Sequence, residues 1–465
     1  MARVVVIGAG PAGSVFSARM AQMGHDVTLI ERVAFPRSRL GESLSPGVVP
    51  LLAMTGAQAD VERAGFRPVR GVTAKWNGDF DERTMSTGGG LLVDRGRFDA
   101  LLLSHARALG VRVLQPAVMA ERQATADGWT LGINAGGSRI DLHAQFVADA
   151  SGRAGAWPGR RRLDRIRTIA LYAYWRGTQP NDEPRIEAGD DAWFWRVPLP
   201  DGRHNVLAFV DAGRLRQRHG ESIAGLYQRL VSGSTIMAGL CAVRLDGAIR
   251  SVDATPYLEQ ESISRSTIKI GDAALAIDPI SSSGVQKGIQ TALAGAVAAN
   301  TLLRRPALGE AAIQFYSGGL TESAAQHRSW AAGHYAVAAK SRGGVFWTRR
   351  AAEAVPEPRL PQDTRAPWTG SGRAARLSPL VEFVDLPCLD GDFVTRKVAV
   401  RHSSLASPVA YLGRWELAPL LRDISRGMTT LDIAKAWSDR IPLESAATIL
   451  GWLMNRGILI EDERT

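Results

Sequence analysis

Three glycines carry the first chemistry in this chain. Gly8, Gly10 and Gly13 stand in the run Gly8-Ala9-Gly10-Pro11-Ala12-Gly13, after the β-branched segment 3–7 and before an apolar helical stretch over 14–23. A second strand over 26–30 ends in Glu31, followed by Arg32. Each residue type has a reason if the ligand is a dinucleotide. Gly8 permits the tight turn, Gly10 lets the backbone approach a pyrophosphate, and Gly13 lets the helix pack close to the strand. Pro11 and Ala12 belong to the expected cofactor-binding turn, and the helix that follows turns free amides and the positive end of its dipole toward the phosphates. Glu31, eighteen residues after Gly13, is spaced to accept hydrogen bonds from ribose hydroxyls.

Later segments narrow the dinucleotide. Residues 93–99, Val-Asp-Arg-Gly-Arg-Phe-Asp, open a helix with Phe98, Leu101 and Leu102 on its apolar face. A strand over 147–150 carries Asp149 and runs into a glycine turn at Gly152, and a second strand over 268–270 leads to Gly271-Asp272. Asp278-Pro279 and Ser281-Ser282-Ser283-Gly284 follow, before an alanine-rich helix to about residue 300. Over roughly the first 350 residues these segments resemble the flavoprotein monooxygenase and flavin-dependent halogenase superfamily. The resemblance implies an α/β fold, with a Rossmann-type FAD-binding domain and an inserted β-sheet substrate domain of the aromatic-hydroxylase kind, drawn from about 66–92 and 165–265. It implies FAD as cofactor, with Asp272 on the ribityl chain and Arg95, Arg39, Glu42, Asp149 and Gly152 around the flavin. Ser283 and Gly284 would start the helix whose amides stabilise negative charge on the reduced ring.

Within the superfamily the chain leans to the halogenase branch. Phe35-Pro36-Arg37, the run 41–46 (Gly-Glu-Ser-Leu-Ser-Pro) and the run 193–198 (Trp-Phe-Trp-Arg-Val-Pro) are all similar to stretches of that branch. Trp193 and Trp195 alternate on a strand and so share one face, either as a substrate wall or as core; Lys75, Trp76, Trp193 and Trp195 are the expected substrate-side residues. One departure bears on the reaction. The lysine by which such halogenases capture hypohalous acid is replaced by Val69, with Arg67, Arg70 and Lys75 as the nearby bases; a shifted strand would let Lys75 substitute. A guanidinium does not readily offer the uncharged amine that trapping an electrophilic halogen needs. The expected chemistry is therefore oxygen insertion, which in the superfamily runs through a flavin C4a-hydroperoxide attacked by an electron-rich aromatic carbon. No general acid or base is assigned; His105 and His204 read as packed or exposed residues.

The tail has a different composition. Pro356, Pro358, Pro361 and Pro367 with Gly370 and Gly372 make 351–380 a linker. Two alternating apolar segments, 381–386 and 393–400, read as a hairpin, and helical stretches follow over 416–425, 430–438 and 443–454 before a strand at 458–460. That order is winged-helix-like. From Val381 onward there are ten Lys/Arg against twelve Asp/Glu, which offers little to nucleic-acid phosphates. The segment 381–465 resembles the small winged-helix domains that hold precursor peptides on a strand edge; a lid or dimerisation module is the alternative.

Composition bounds the rest. The chain has 465 residues and a net charge of +10, and the first 380 residues carry 46 basic against 34 acidic side chains. Dense basic stretches occur at Arg160, Arg161, Arg162, Arg165 and Arg167, and at Arg342, Arg349 and Arg350; they are either solvated faces or attraction for an acidic partner. Cys241 and Cys388 lie far apart with no Cys/His cluster, so no metal site is expected and a reducing, cytoplasmic setting fits. No run approaches the roughly 18 apolar residues of a membrane span. A monooxygenase joined to a peptide-holding tail resembles the flavoprotein tryptophan hydroxylases of cysteine tryptophylquinone maturation, which serve quinohemoprotein amine dehydrogenase. That implies an acidic protein or peptide substrate, held partly by 381–465. The rivals are a small-molecule aromatic hydroxylase, a halogenase, a polyprenyl reductase and a non-enzymatic flavin-bound partner. No second glycine fingerprint serves NAD(P)H, so electrons come either from transiently bound NAD(P)H or from a separate flavin reductase.

Overall fold

The computed structural model describes residues 1–465 except 38, 78–79, 85–88, 179–182, 217–219, 353–373 and 463–465. The chain divides into two compact units, Met1–Val355 and Pro356–Thr465. At the centre of the first is a five-stranded parallel sheet in the order Thr267–Lys269, Phe146–Asp149, Arg3–Ile7, Asp26–Ile30, Arg112–Leu114. Its strands read as continuous apolar runs because helices or further strands cover both faces; Val4, Val6, Leu29 and Phe146 are all buried. The helix Pro11–Gln22 begins with proline at its first position, where the missing amide costs nothing. It packs on Gly284–Arg304, whose Ala292, Ala296 and Ala299 are buried and small enough for close approach. The helix Arg95–Ala108 is capped by Asp94, which accepts from the Arg97 amide at 2.7 Å.

A seven-stranded sheet forms the second layer. Its order is Cys241–Asp253, Thr168–Thr178, Arg203–Asp211, Trp193–Pro198, Arg185–Ala188, Gly71–Lys75, Phe80–Thr84. All neighbours are antiparallel except the pair Arg185–Ala188 with Gly71–Lys75. Residues directly opposite one another share a face, so the register sorts the side chains. One face packs Phe194, Val206, Ala208 and Leu171 against Tyr227 and Leu226 of the helix Ile223–Ser232. The other packs Trp193, Phe209 and Ala170 against Tyr335 of the long helix Gly309–Arg342, against Trp347 of Gly344–Ala351, and against Ile280 of the loop that leads into Gly284. Two arginines counted above as a basic surface turn out to be structural. Arg350 is buried with its guanidinium on Asp211 at 2.6 Å and on the Thr168 hydroxyl, and Arg161 lies over the Tyr257 ring and donates to the Arg153 carbonyl.

The second unit has its own core around Leu417, Leu421, Ile433, Trp437, Leu450 and Leu459. A hairpin of Glu382–Asp390 with Phe393–Arg401 precedes helices Leu417–Arg422, Thr430–Ala436 and Leu443–Asn455, and the strand Leu459–Glu461 pairs with Ala375–Leu377. Thr429 caps the second helix through a capping box with Asp432. Most of the proline-rich stretch expected over 351–380 lies outside the described residues. Among the described residues, no helix is long and apolar enough to cross a membrane.

Candidate functional site

The glycine turn is built around an absence of side chains. Gly8 has φ +104°, and a Cβ there would meet the Ala150 carbonyl oxygen at 2.6 Å; a Cβ on Gly13 would overlap the Gly8 carbonyl. At Gly10 the reason differs. Its φ of −64° suits any residue and a Cβ would meet only the Arg37 guanidinium, at 3.8 Å. Gly10 therefore keeps clear the space in front of Pro11–Gln22, whose N-terminus has no side-chain cap. On one flank Glu31 is buried and accepts from the amides of Ala9 at 2.9 Å and Val33 at 3.1 Å. Arg37 lies 3.5 Å from Glu31 and 3.8 Å from the buried Asp99.

On the other flank the turn carrying Asp272 touches the first helix, since a Cβ on Gly271 would lie 2.9 Å from that of Ala12. The Asp272 side chain is 42 % exposed in its cleft and accepts from Lys287, itself buried, at 2.7 Å. Burial alone would raise the Asp272 carboxyl, but the Lys287 ammonium, together with Arg153 and Arg95, outweighs it and holds the group below the usual carboxylate range. Further along, Gly284 opens the 21-residue helix with open space around it and no side-chain cap from Ser283. The run 41–46 lies beside this helix start, where the Ser45 hydroxyl donates to Gln286 at 2.7 Å. Arg95 fixes that run by donating to the Leu40 carbonyl at 2.6 Å while its Nε holds Asp99 at 3.0 Å. Two uncapped helix starts, a half-exposed carboxylate and a glycine-cleared gap thus lie along one path, and they fit an extended dinucleotide with a charged ring at its far end.

Glu42 joins this path to the seven-stranded sheet. Its buried carboxylate accepts from the Tyr174 hydroxyl at 2.8 Å, the Asn205 amide at 3.1 and 3.2 Å, and the Gly41 backbone amide at 2.9 Å. Tyr174 and Asn205 are directly opposed across two strands. Behind them on the same face comes the row Tyr172, Leu207, Trp195, and then the row Ala170, Phe209, Trp193. The last row is core, with Trp193 stacked on Phe209 at 3.8 Å and 1 % exposed. The middle row lies between the helices and Glu42, and its Tyr172 and Trp195 stay half-buried. A small pocket of about 50 Å³ opens elsewhere, beside Asp278, Tyr335 and His327, and none of the middle row lines it.

Several expected site residues need correction. Lys75 is on the wrong face: it is opposed to Glu187, which is opposed to Phe194 of the helix-covered side, and its ammonium donates to Thr235 at 3.1 Å. It cannot line a wall with Trp193. Trp76 and Trp193 are packed edge to face at 6.4 Å, with Trp347 at 5.5 Å from Trp76, so both are core; of the four expected wall residues only Trp195 keeps partial exposure on the open row. Asp149 spends its carboxylate on the chain, accepting from the Ser151 amide and hydroxyl and from the Trp157 amide. Arg32 and Arg39 are exposed, whereas Arg37 turns inward. Gly152, at φ +71°, begins the turn beside that of Asp272. Sequence reasoning missed Arg37, Lys287, Tyr172, Tyr174 and Asn205. Only the alternation over 168–178 could have flagged the tyrosines.

Residues 74–378 match the tryptophan halogenase family model, and residues 6–43 match that of a NAD(P)-binding Rossmann-like domain. Among characterised proteins, a tryptophan 2-halogenase of Chondromyces crocatus is 28 % identical over 335 residues, which covers 68 % of this chain and 64 % of that enzyme. A flavin-dependent halogenase of Armillaria mellea, armH4, is 29 % identical over 68 % of each chain. The chain thus spans about two thirds of the length of these relatives. Among solved structures, the flavin-dependent halogenase CmlS superposes with a TM-score of 0.79 at 20 % identity, over 100 % of this chain and 96 % of that one. The peptidyl tryptophan dihydroxylase QhpG, described as essential for tryptophylquinone cofactor biogenesis, gives a TM-score of 0.72 at 25 % identity over 98 % of this chain and 99 % of its own. The family match covers well over half of the chain, and the cradle has the form a flavin dinucleotide requires: this chain belongs to the tryptophan halogenase family and is an FAD-dependent flavoprotein enzyme that uses O2.

Proposed function

We propose that this protein hydroxylates a tryptophan side chain of a polypeptide substrate, as a step in building a quinone cofactor. The observation that carries this reading is the likeness to the peptidyl tryptophan dihydroxylase, which extends through both units and leaves almost no residue of either chain uncovered. The lysines support it. The whole chain has six, against fifty arginines, and four fall in the first unit. Lys75 points to the far face of the sheet, Lys269 is buried on Glu259 at 2.8 Å, Lys287 is held by Asp272, and Lys340 is exposed on the long helix. Val69, at the halogen-capturing position of related enzymes, is buried among Leu92 and Val197. None supplies a free amine to the row Tyr172, Leu207, Trp195.

The bound flavin supplies oxygen activation. Toward it, Gly10 and the amides of Pro11–Gln22 would take the pyrophosphate, Glu31 the adenosine ribose, and Asp272, charged by its contact with Lys287, the ribityl hydroxyls. The uncapped amides at Gly284 would face the ring and favour negative charge on it. Glu42 acts as a positioning residue: tied to Tyr174 and Asn205, it fixes the substrate sheet against the run 41–46. The half-buried Tyr172–Leu207–Trp195 row offers a flat apolar surface to an indole and keeps water from its reacting edge. The second unit, nearly neutral and rich in strand edge, is read as the part that retains the polypeptide. Hydroxylation of an indole needs little help from a base, in keeping with the lack of an evident acid–base pair there among the described residues.

The test is a competition. The FAD-loaded full chain, chemically reduced, is mixed with O2, excess bromide and a tryptophan-bearing polypeptide, and the product mass is read. Oxygen without bromine supports the reading. Bromine incorporation, or conversion of free indoles with the polypeptide untouched, overturns it.

A further inference from the structure

At the rim of the flavin-side face of the seven-stranded sheet, three arginines stand side by side. Arg203, Arg176 and Arg244 are directly opposed on the neighbouring strands Arg203–Asp211, Thr168–Thr178 and Cys241–Asp253. Arg176 is two residues beyond Tyr174 and so shares its face, the one on which the Tyr174 hydroxyl reaches Glu42. Like charges directly opposed across strands are destabilising, and a ladder of three calls for a counterpart. Asp201 lies on Arg203 at 2.7 Å and Asp246 on Arg176 at 3.3 Å, while Arg244 has no carboxylate partner among the described residues. Two carboxylates thus stand against three guanidinium groups. All three remain reachable from solvent, with Arg203 30 % and Arg176 44 % exposed and Arg244 on the exposed edge strand. Arg203 also lies over the Tyr174 ring at 4.9 Å, which holds its planar group in place.

Spacing turns the ladder into a measure. Three strands span about 10 Å, and the Tyr172–Leu207–Trp195 row lies two same-face steps away, about 13 Å. An extended chain covers that distance in about four residues. We propose that Arg176, Arg203 and Arg244 form an anion-recognition strip that takes carboxylates of the polypeptide substrate about four residues from the tryptophan presented to the flavin. This rests on the hydroxylase reading above. Guanidinium forks match carboxylates two bonds at a time, and the basic excess of the first 380 residues draws acidic chains toward the cleft.

Two synthetic peptides test it, each with one tryptophan and either two aspartates or two asparagines four residues away. Binding to the FAD-loaded full chain is followed by fluorescence anisotropy at low and high salt, and oxygenation by mass. The aspartate peptide should bind roughly tenfold more tightly at low salt, with the advantage shrinking as salt rises. Arg244→Gln and Arg176→Gln should each erase most of that advantage and leave the asparagine peptide unaffected. Relief of the like-charge ladder should leave Tm unchanged or raised in Arg244→Gln. Equal binding of the two peptides, or an advantage that survives both substitutions, overturns the strip. The two readings fail separately. Oxygenation that ignores the aspartates leaves the hydroxylase standing and removes the strip; arginine-dependent binding with no oxygenation leaves the strip and removes the hydroxylase.

Discussion

Two carboxylates of this site do different work, and their partners say which. Glu42 is buried and receives four hydrogen bonds from Tyr174, Asn205 and Gly41, so the acid holds two layers together. Glu42→Gln sets an amide donor against the Tyr174 and Asn205 donors and should cost about 1–3 kcal/mol of stability, measured by urea unfolding. Asp272 is half-exposed and charged by its lysine. Its depressed folded value means that its contribution is present above the ordinary aspartate pKa of about 3.9 and is lost as pH falls through the lower folded value. Asp272→Asn should therefore lower Tm and flavin retention at neutral pH, and the gap in Tm from the parent should close below about pH 4, as a pH series of melts would show. Glu42, Asp272 and Arg95 were legible as site residues because they sit inside local motifs, although Glu42 and Arg95, expected at the flavin, spend their charged groups on Tyr174, Asn205, Asp99 and the Leu40 carbonyl. Tyr174, Asn205 and Lys287 were not: each acts through a partner across strands or fifteen and more residues away, and nothing in a local window records that pairing.

At the scale of elements the first strand and turn read correctly because their glycines solve local problems, while the helix expected over 14–23 begins one turn earlier, at Pro11. The structure separates those problems. Gly13 is required by the fold and Gly10 by what the fold leaves empty. Gly13→Ala should fail to give a stable protein, while Gly10→Ala should melt within about 1 kcal/mol of the parent yet lose FAD on gel filtration. A Gly10→Ala protein that kept full flavin would contradict the placement of the pyrophosphate. The tryptophan strand teaches the opposite lesson. Alternation placed Trp193 and Trp195 on one face but not at the same depth, and depth decided their roles. Lys75 was misplaced because the strand Gly71–Lys75 pairs in parallel with Arg185–Ala188, a register that fixes which face its last residue takes.

At the scale of the molecule, the charge of +10 resolves into parts. Some arginines are internal fasteners, such as Arg350 and Arg161; others line the rim of the substrate sheet. The two units each carry a core, and the proposed division of labour predicts that removal of 356–465 leaves flavin content intact and weakens polypeptide binding by about tenfold or more, readable by anisotropy. The central claim is that the reaction is oxygenation of a peptidyl tryptophan. It is tested most directly by single turnover of the reduced, FAD-loaded full chain under 18O2, with a tryptophan-bearing polypeptide and an equal concentration of free tryptophan. The account predicts one 18O atom on the tryptophan of the polypeptide, the other leaving as water, and none on the free amino acid. Label on free tryptophan alone, or an unlabelled polypeptide with the flavin fully reoxidised, would contradict it.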